Sequence, residues 1–224
     1  RVMTVNCLSA LVLQLFNEPL AGKRVLEVGS QDVNGSIRPF VEGALKPREY
    51  IGADMVAGKG VDVICNSSDL IKRFGHGSFD VVLSTSALEH VQDWKAAIHN
   101  IKGVCKTGGM ILLTTCSHDF QYHGYPYDFW RFELDDLKEI FSDCRITALE
   151  AIFKNLVLVK AIKPDDFVER DLRDFKMYSL VASGRIKSLD PEYFRSWGFR
   201  KLLLRTRILN TMIRGVNFIG SRII

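Results

Sequence analysis

The stretch VLEVGSQDVNGS, residues 25–36, decides how the rest of the chain is read. Val25, Leu26 and Val28 form a short apolar run with the pattern of a buried parallel strand. Gly29, a polar loop and Asn34-Gly35-Ser36 follow, the last of these opening a helix. Glu27 sits near the strand's carboxyl end, where an open α/β sheet takes its ligand. Gly29 carries no side chain, so a ligand can approach the backbone there. The glycines fall only at Gly29 and Gly35, short of the G-x-G-x-x-G of a dinucleotide site. A pyrophosphate needs glycine-lined amides at a helix N-terminus; a ligand without phosphates does not. Taken alone, the stretch is equally an ordinary strand-to-helix turn.

The 224 residues are enough for one α/β domain with an appendage. Hydrophobic residues at 47% and charged residues at 25% are globular values, which exclude a disordered chain. The five cysteines (Cys7, Cys65, Cys105, Cys116, Cys144) contain no C-x-x-C pair. This argues against a disulfide framework and against a zinc site, and fits a reducing compartment. No apolar run is long enough to span a membrane. No signal peptide is visible; the chain begins at Arg1, which leaves a preceding segment open. A cytoplasmic location is expected, with attachment to a membrane periphery as its variant.

Residues 3–16 read as a helix that packs on the domain or over the ligand cleft. Strand one is 24–29. A helix follows over 36–45, capped by Ser36 with Pro39 in its first turn. Strand two, 50–53, ends at Asp54, about 20 residues past the glycine loop, where an acidic side chain can accept from ribose hydroxyls. Strand three is 61–65. Asn66-Ser67-Ser68-Asp69 then caps a short helix or reads an adenine edge. Strand four, 79–84, leads into SALEHVQDW and a helix reaching Cys105. His90 falls just past that strand on the ligand side, where an imidazole can act as a general base. Strand five is 110–115.

A loop without periodicity follows over 116–132, CSHDFQYHGYPYDFWRF, dense in aromatic and ionisable groups. Loops of this length are usually functional. Trp130 and Phe132 are assigned to packing, and His118, His123 and Asp128 to the site; internal pairing of Asp128 with Arg131 is the alternative. A helix over 133–141 and two strands, 145–152 and 156–162, joined by a turn at 153–155, complete the body. The fold expected is α/β: a Rossmann-like, seven-stranded, mostly parallel sheet with a terminal antiparallel hairpin, plus a C-terminal helical extension. The boundary falls at 163/164.

The extension is expected to open with an amphipathic helix over 165–181, broken at Ser183-Gly184. A second helix starts near Pro191, with an apolar face over 199–216. From Ser183 on there are nine basic and two acidic residues, against 21 and 24 before it, so the basic character belongs to the tail. Arg200, Arg207 and Arg214 recur at heptad spacing. The preferred reading is a helical extension packed on the body or on a second copy of the chain. Contact with a membrane surface is the sharper alternative, and nucleic acid is not the expected partner.

The order of these signals resembles the class I S-adenosylmethionine-dependent methyltransferases. EVGSQDVNGS, FDVVLSTSALEH and HGYPYDFWRF are similar to a methyltransferase-11-like subgroup, over residues 24–162. The resemblance implies S-adenosylmethionine as cofactor. It implies that Glu27 and Gly29 hold the methionine part, with Ser30 and Gln31 where backbone contact is expected. Asp54 would bind the ribose and Met55 line the adenine. Asn66 and Ser67 would touch the adenine, although related chains often carry Asp where Asn66 stands. Ser84 would lie near the sulfonium. The family has no fixed catalytic base, so His90, His118, His123 and Asp128 rest on position alone.

The activity expected is methyl transfer to an oxygen or nitrogen of a small-molecule or glycan-like acceptor. No metal-ligand cluster is visible and the chemistry requires none. The alternatives are a non-catalytic methyltransferase-fold module docking through its basic tail, and an NAD(P)-dependent oxidoreductase. The missing glycines and the terminal hairpin count against the latter.

Overall fold

The computed structural model describes residues 2–15, 17–123, 128–152, 155–201 and 203–204. Helix α1 (Val2–Leu15) leads to strand β1 (Arg24–Val28). The next helix is α2 (Arg38–Phe40), which widens into a π-helical turn over Val41–Leu45. Ser36 serves its start, its Oγ accepting the Arg38 N–H at 3.1 Å. Strands β2 (Glu49–Asp54) and β3 (Val63–Ile64), the 3-10 turn Ser67–Asp69 and helix α3 (Leu70–Phe74) come next. Then follow β4 (Phe79–Thr85), a 3-10 turn at Leu88–His90, α4 (Trp94–Val104) and β5 (Cys105–Cys116). After the aromatic loop stand β6 (Trp130–Arg131), α5 (Leu134–Ile140) and the hairpin β7 (Arg145–Ile152) and β8 (Leu156–Ile162). The last strands are β9 (Met177–Ser179) and β10 (Gly184–Ile186).

Seven strands form one sheet in the order β3-β2-β1-β4-β5-β8-β7. Pairings from β3 through β5 are parallel, and β8 is antiparallel to both β5 and β7. The chain runs outward from β1 to β2 and β3, then returns across β1 to β4. The β1/β4 boundary is therefore the point where strand order reverses and where such sheets bind ligands. The central strands lack polar alternation because both faces are covered. Val25, Val81, Leu83 and Leu112 enter one core with Leu11 and Leu15 of α1. Leu26, Val82, Ile111 and Leu113 enter the other with Trp94, Ile98 and Ile101 of α4. Helix α1 thus packs on the sheet; Lys160 of β8 donates to Gln14 O at 2.8 Å and pairs with Glu18 at 2.5 Å.

The amphipathic helix expected over 165–181 does not form. Its second half is β9, which pairs with β6 and β10 in a separate three-stranded antiparallel sheet. Burial there alternates, with Met177, Ser179 and Val181 inside and Tyr178, Leu180 and Ala182 half-buried. That period of two is a strand signature which the preceding charged run DDFVERDLRD obscures. Those charges are spent in local pairs, such as Arg173 with Asp171 and Lys187 with Asp174. Leu172, Met177, Val181, Leu189 and Phe199 join the core of the main sheet. Near Pro191 the chain makes a 3-10 turn, Pro191–Arg195, with helical backbone starting at 197. The apolar face over 199–216, with Arg207 and Arg214, falls mostly outside the described residues, as does part of the 153–155 turn. Among the described residues no helix is long and apolar enough to cross a membrane.

Candidate active site

A cavity of about 1030 Å³ opens at the β1/β4 boundary. That volume is at the upper end for small-molecule sites and leaves room for two ligands side by side. Its floor is the loop after β1. Gly29 takes a left-handed φ of 78°, and a Cβ there would lie 2.4 Å from the Ala87 Cβ. Glycine is thus required twice, by backbone and by space. Gly29→Ala is expected to cost about 1–3 kcal/mol of stability, measured by denaturant unfolding; an unchanged midpoint would contradict this account of the turn.

Asp54, at the end of β2, fastens the loop. Its carboxylate accepts the Gln31 N–H and the Val56 N–H, each at 3.1 Å. Gly29 and Ser30 donate their amides to Ala53 O. Glu27 lies beneath, nearly buried, and accepts the Tyr50 hydroxyl at 2.7 Å. Burial pushes its carboxyl up to about 7, an effect the Tyr50 hydrogen bond and the Arg38 charge only partly offset. Met55 stands exposed at the rim. Asn66 caps the 3-10 turn, its Oδ1 accepting from the amide and hydroxyl of Ser68 at 3.0 and 2.8 Å. Three buried hydroxyls on the cavity wall, Ser30 Oγ, Ser84 Oγ and Thr85 Oγ1, have no hydrogen-bond partner among the described residues. Buried polar atoms without partners are costly, and the polar groups of a ligand in the cavity would satisfy them.

All nine residues expected to hold a cofactor therefore line one cavity: Glu27, Gly29, Ser30, Gln31, Asp54, Met55, Asn66, Ser67 and Ser84. The four expected to act on protons divide. His90 and His123 line the cavity, their rings edge-to-face with centroids 4.8 Å apart. His118 does not. It is exposed, its amide donates to Glu133 and its ring lies on Tyr178, because the chain turns outward over β9 at that point. Asp128 is also off the cavity wall. It is wholly buried and bound twice by Arg131, at 2.6 and 2.9 Å, which is the internal pairing that the sequence offered as the alternative. Its Oδ2 accepts the His123 backbone N–H at 2.6 Å, so it positions a cavity residue rather than facing the cavity itself. Trp130 and Phe132 are core residues, the Trp130 indole donating to Val91 O.

Sequence reasoning missed Cys116, Ser188 and Leu189, which also line the cavity. Cys116 was legible as the end of β5, the strand next to β4. Ser188 and Leu189 were not, since they reach the site only through the misread 165–181 segment.

A family model described as a methyltransferase domain matches residues 6–156, two thirds of the chain. The chain belongs to the class I S-adenosylmethionine-dependent methyltransferases. Solved structures share the methyltransferase fold at low identity. One is the 1,6-didemethyltoxoflavin N1-methyltransferase of Burkholderia thailandensis, solved with 1,6-didemethyltoxoflavin and S-adenosylhomocysteine. It is 16% identical, with 72% of this chain and 78% of that one covered and a TM-score of 0.57. Another is the methyltransferase of Haloferax volcanii in complex with the Trm112 activator, at 15% identity, 72% and 92% coverage and a TM-score of 0.59. A third is phosphoethanolamine N-methyltransferase 2 of Haemonchus contortus, at 16% identity, 70% and 52% coverage and a TM-score of 0.54. Among the curated proteins compared, none matches this methyltransferase.

Proposed function

We propose that this chain transfers a methyl group from S-adenosylmethionine to an oxygen or nitrogen of a small-molecule or glycan-like acceptor. The observation that carries the reading is the convergence, in one cavity at the sheet's reversal point, of a left-handed Gly29 turn, a loop fastened by Asp54, and unpartnered Ser30 and Ser84 hydroxyls. When bound, S-adenosylmethionine supplies a methyl group already made electrophilic by its sulfonium.

The roles proposed for the chain's own residues follow the cavity wall. Glu27, Gly29, Ser30 and Gln31 hold the cationic methionine end. Asp54 accepts from the ribose hydroxyls. Met55, Asn66 and Ser67 receive the adenine; because Asn66 Oδ1 is engaged in capping, its amide N–H groups are what it offers, which suits a ring-nitrogen acceptor. Ser84 faces the sulfur. His90, beside His123 on the cavity wall, is proposed to take the acceptor's proton as the nucleophile is held in line. Residues 1–163 are proposed to carry the cofactor, and residues 164–224 to complete the acceptor side through Ser188 and Leu189.

Glu27 makes the reading testable by pH. Its pKa in the free protein is about 7, against an ordinary value of 4.5. Between those values the folded state keeps a proton that the unfolded state has lost, so stability falls as pH rises through that window. Binding a cationic cofactor needs the ionised form. Affinity is therefore expected to rise about tenfold per pH unit below about 7 and to level off above it. In Glu27→Gln the slope disappears. Calorimetric titration of S-adenosylmethionine across this range checks the profile, and a flat wild-type profile would remove Glu27 from the methionine site.

A further inference from the structure

Along the chain, cysteine, histidine and acidic residues show no metal-ligand spacing. Folding brings three of them together. Glu89 of the Leu88–His90 turn, Cys116 at the end of β5 and His123 of the following loop place a carboxylate oxygen, a sulfur and an imidazole nitrogen within 4.8 Å of one another. Glu89 is 0% exposed. The side-chain donors to its carboxylate are neutral: the Thr115 hydroxyl at 2.9 Å and the Cys116 thiol at 3.0 Å. Among the described residues no lysine or arginine forms an ion pair with it. Arg131 is taken by Asp128.

A wholly buried carboxylate with neutral donors alone is costly, and such groups are usually paired or bound to metal. We propose that Glu89, Cys116 and His123 form a binding site for a divalent cation of the zinc type, with its fourth position open to the cavity. The donor set selects the ion. A thiolate excludes magnesium and calcium, whereas mixed sulfur, nitrogen and oxygen donors suit zinc. The charges balance, since one carboxylate and one thiolate neutralise a divalent ion beside a neutral imidazole. On binding, the S–H bond breaks, a bond from sulfur to the metal forms, and the proton leaves to solvent. Three protein ligands with one open position is the catalytic rather than the structural zinc pattern. Cys116 and His123 both line the cavity, so the open position faces it.

The site stands whether or not the methyl-transfer reading is correct, and its test reads metal alone. The full chain, stripped with a chelator, is titrated with Co²⁺ and then with Zn²⁺. The expected result is one equivalent of Co²⁺ with thiolate-to-cobalt charge-transfer absorption, displaced by one equivalent of Zn²⁺. Cys116→Ser removes the absorption, while Cys65→Ser, which changes a half-buried cysteine outside the cluster, retains it. Losing an outer partner of a metal site costs about 10–100-fold in affinity, so Glu89→Gln, which alters a direct ligand, should weaken Zn²⁺ binding at least about tenfold. Zn²⁺ should raise the melting temperature of the wild type and not of Cys116→Ser. A stripped wild type that shows no absorption, or an absorption that survives Cys116→Ser, overturns the proposal.

Discussion

Asp54→Ala is expected to lower the affinity for S-adenosylmethionine by about 100-fold or more. The residue acts twice. Its carboxylate holds the Gln31 and Val56 amides, and with them the loop that forms the cavity floor. The remaining lone pairs are those proposed to receive the ribose hydroxyls. Hydrogen bonds to a charged group are worth about 1.5–3 kcal/mol each, and two of them correspond to about two decades in a dissociation constant. Asp54→Asn should lie between, because the amide keeps one acceptor oxygen and turns the other into a donor. Isothermal titration of the three proteins gives the answer. An alanine variant that binds as tightly as the wild type would remove Asp54 from the cofactor site.

The second large effect is on stability. Asp128→Ala is expected to cost about 3–5 kcal/mol, because it leaves the fully buried Arg131 guanidinium without its carboxylate. For a chain of this size that is a melting temperature lower by about 10 °C. Burial alone would raise the Asp128 carboxyl, but Arg131 and His123 outweigh it and hold the group at about 2, against an ordinary 3.8. A depressed carboxyl stabilises the fold above its unfolded value. The contribution is therefore complete above about pH 4 and is lost as pH falls toward 2. Denaturant unfolding of wild type and variant at neutral and acid pH checks both statements: the gap between them narrows in acid. A variant of unchanged stability that had lost turnover would place Asp128 in the chemistry instead of in the support of His123.

These two aspartates also show where the sequence was readable. Asp54's place on the cavity wall could be read because it depends on a strand end and a fixed spacing from Gly29, both local and periodic. The same holds for the seven-stranded sheet, whose apolar runs are continuous because each strand is covered on both faces. Asp128 was harder. Its type and loop suggested chemistry, but its partner Arg131 is three residues away on the same loop, and only burial shows that the pair is structural. His118 and His123 are equivalent in sequence, and one faces the cavity while the other faces Tyr178. The segment 165–181 was misread because its charges gave helical spacing to a stretch whose buried end has a period of two. Glu89 and Cys116 could not have been paired from sequence, since a turn and a strand end 27 positions apart meet only in the fold.

The cavity at the β1/β4 boundary is proposed as a cofactor site shaped for S-adenosylmethionine, and a crystal structure of the full chain with S-adenosylhomocysteine decides the matter. The ribose hydroxyls are expected on Asp54, the methionine end over Gly29 and beside Glu27, the adenine against Met55 and Asn66, and the sulfur next to Ser84 facing His90 and His123. A nucleoside bound away from Asp54, or an empty cavity at saturating ligand, would contradict it.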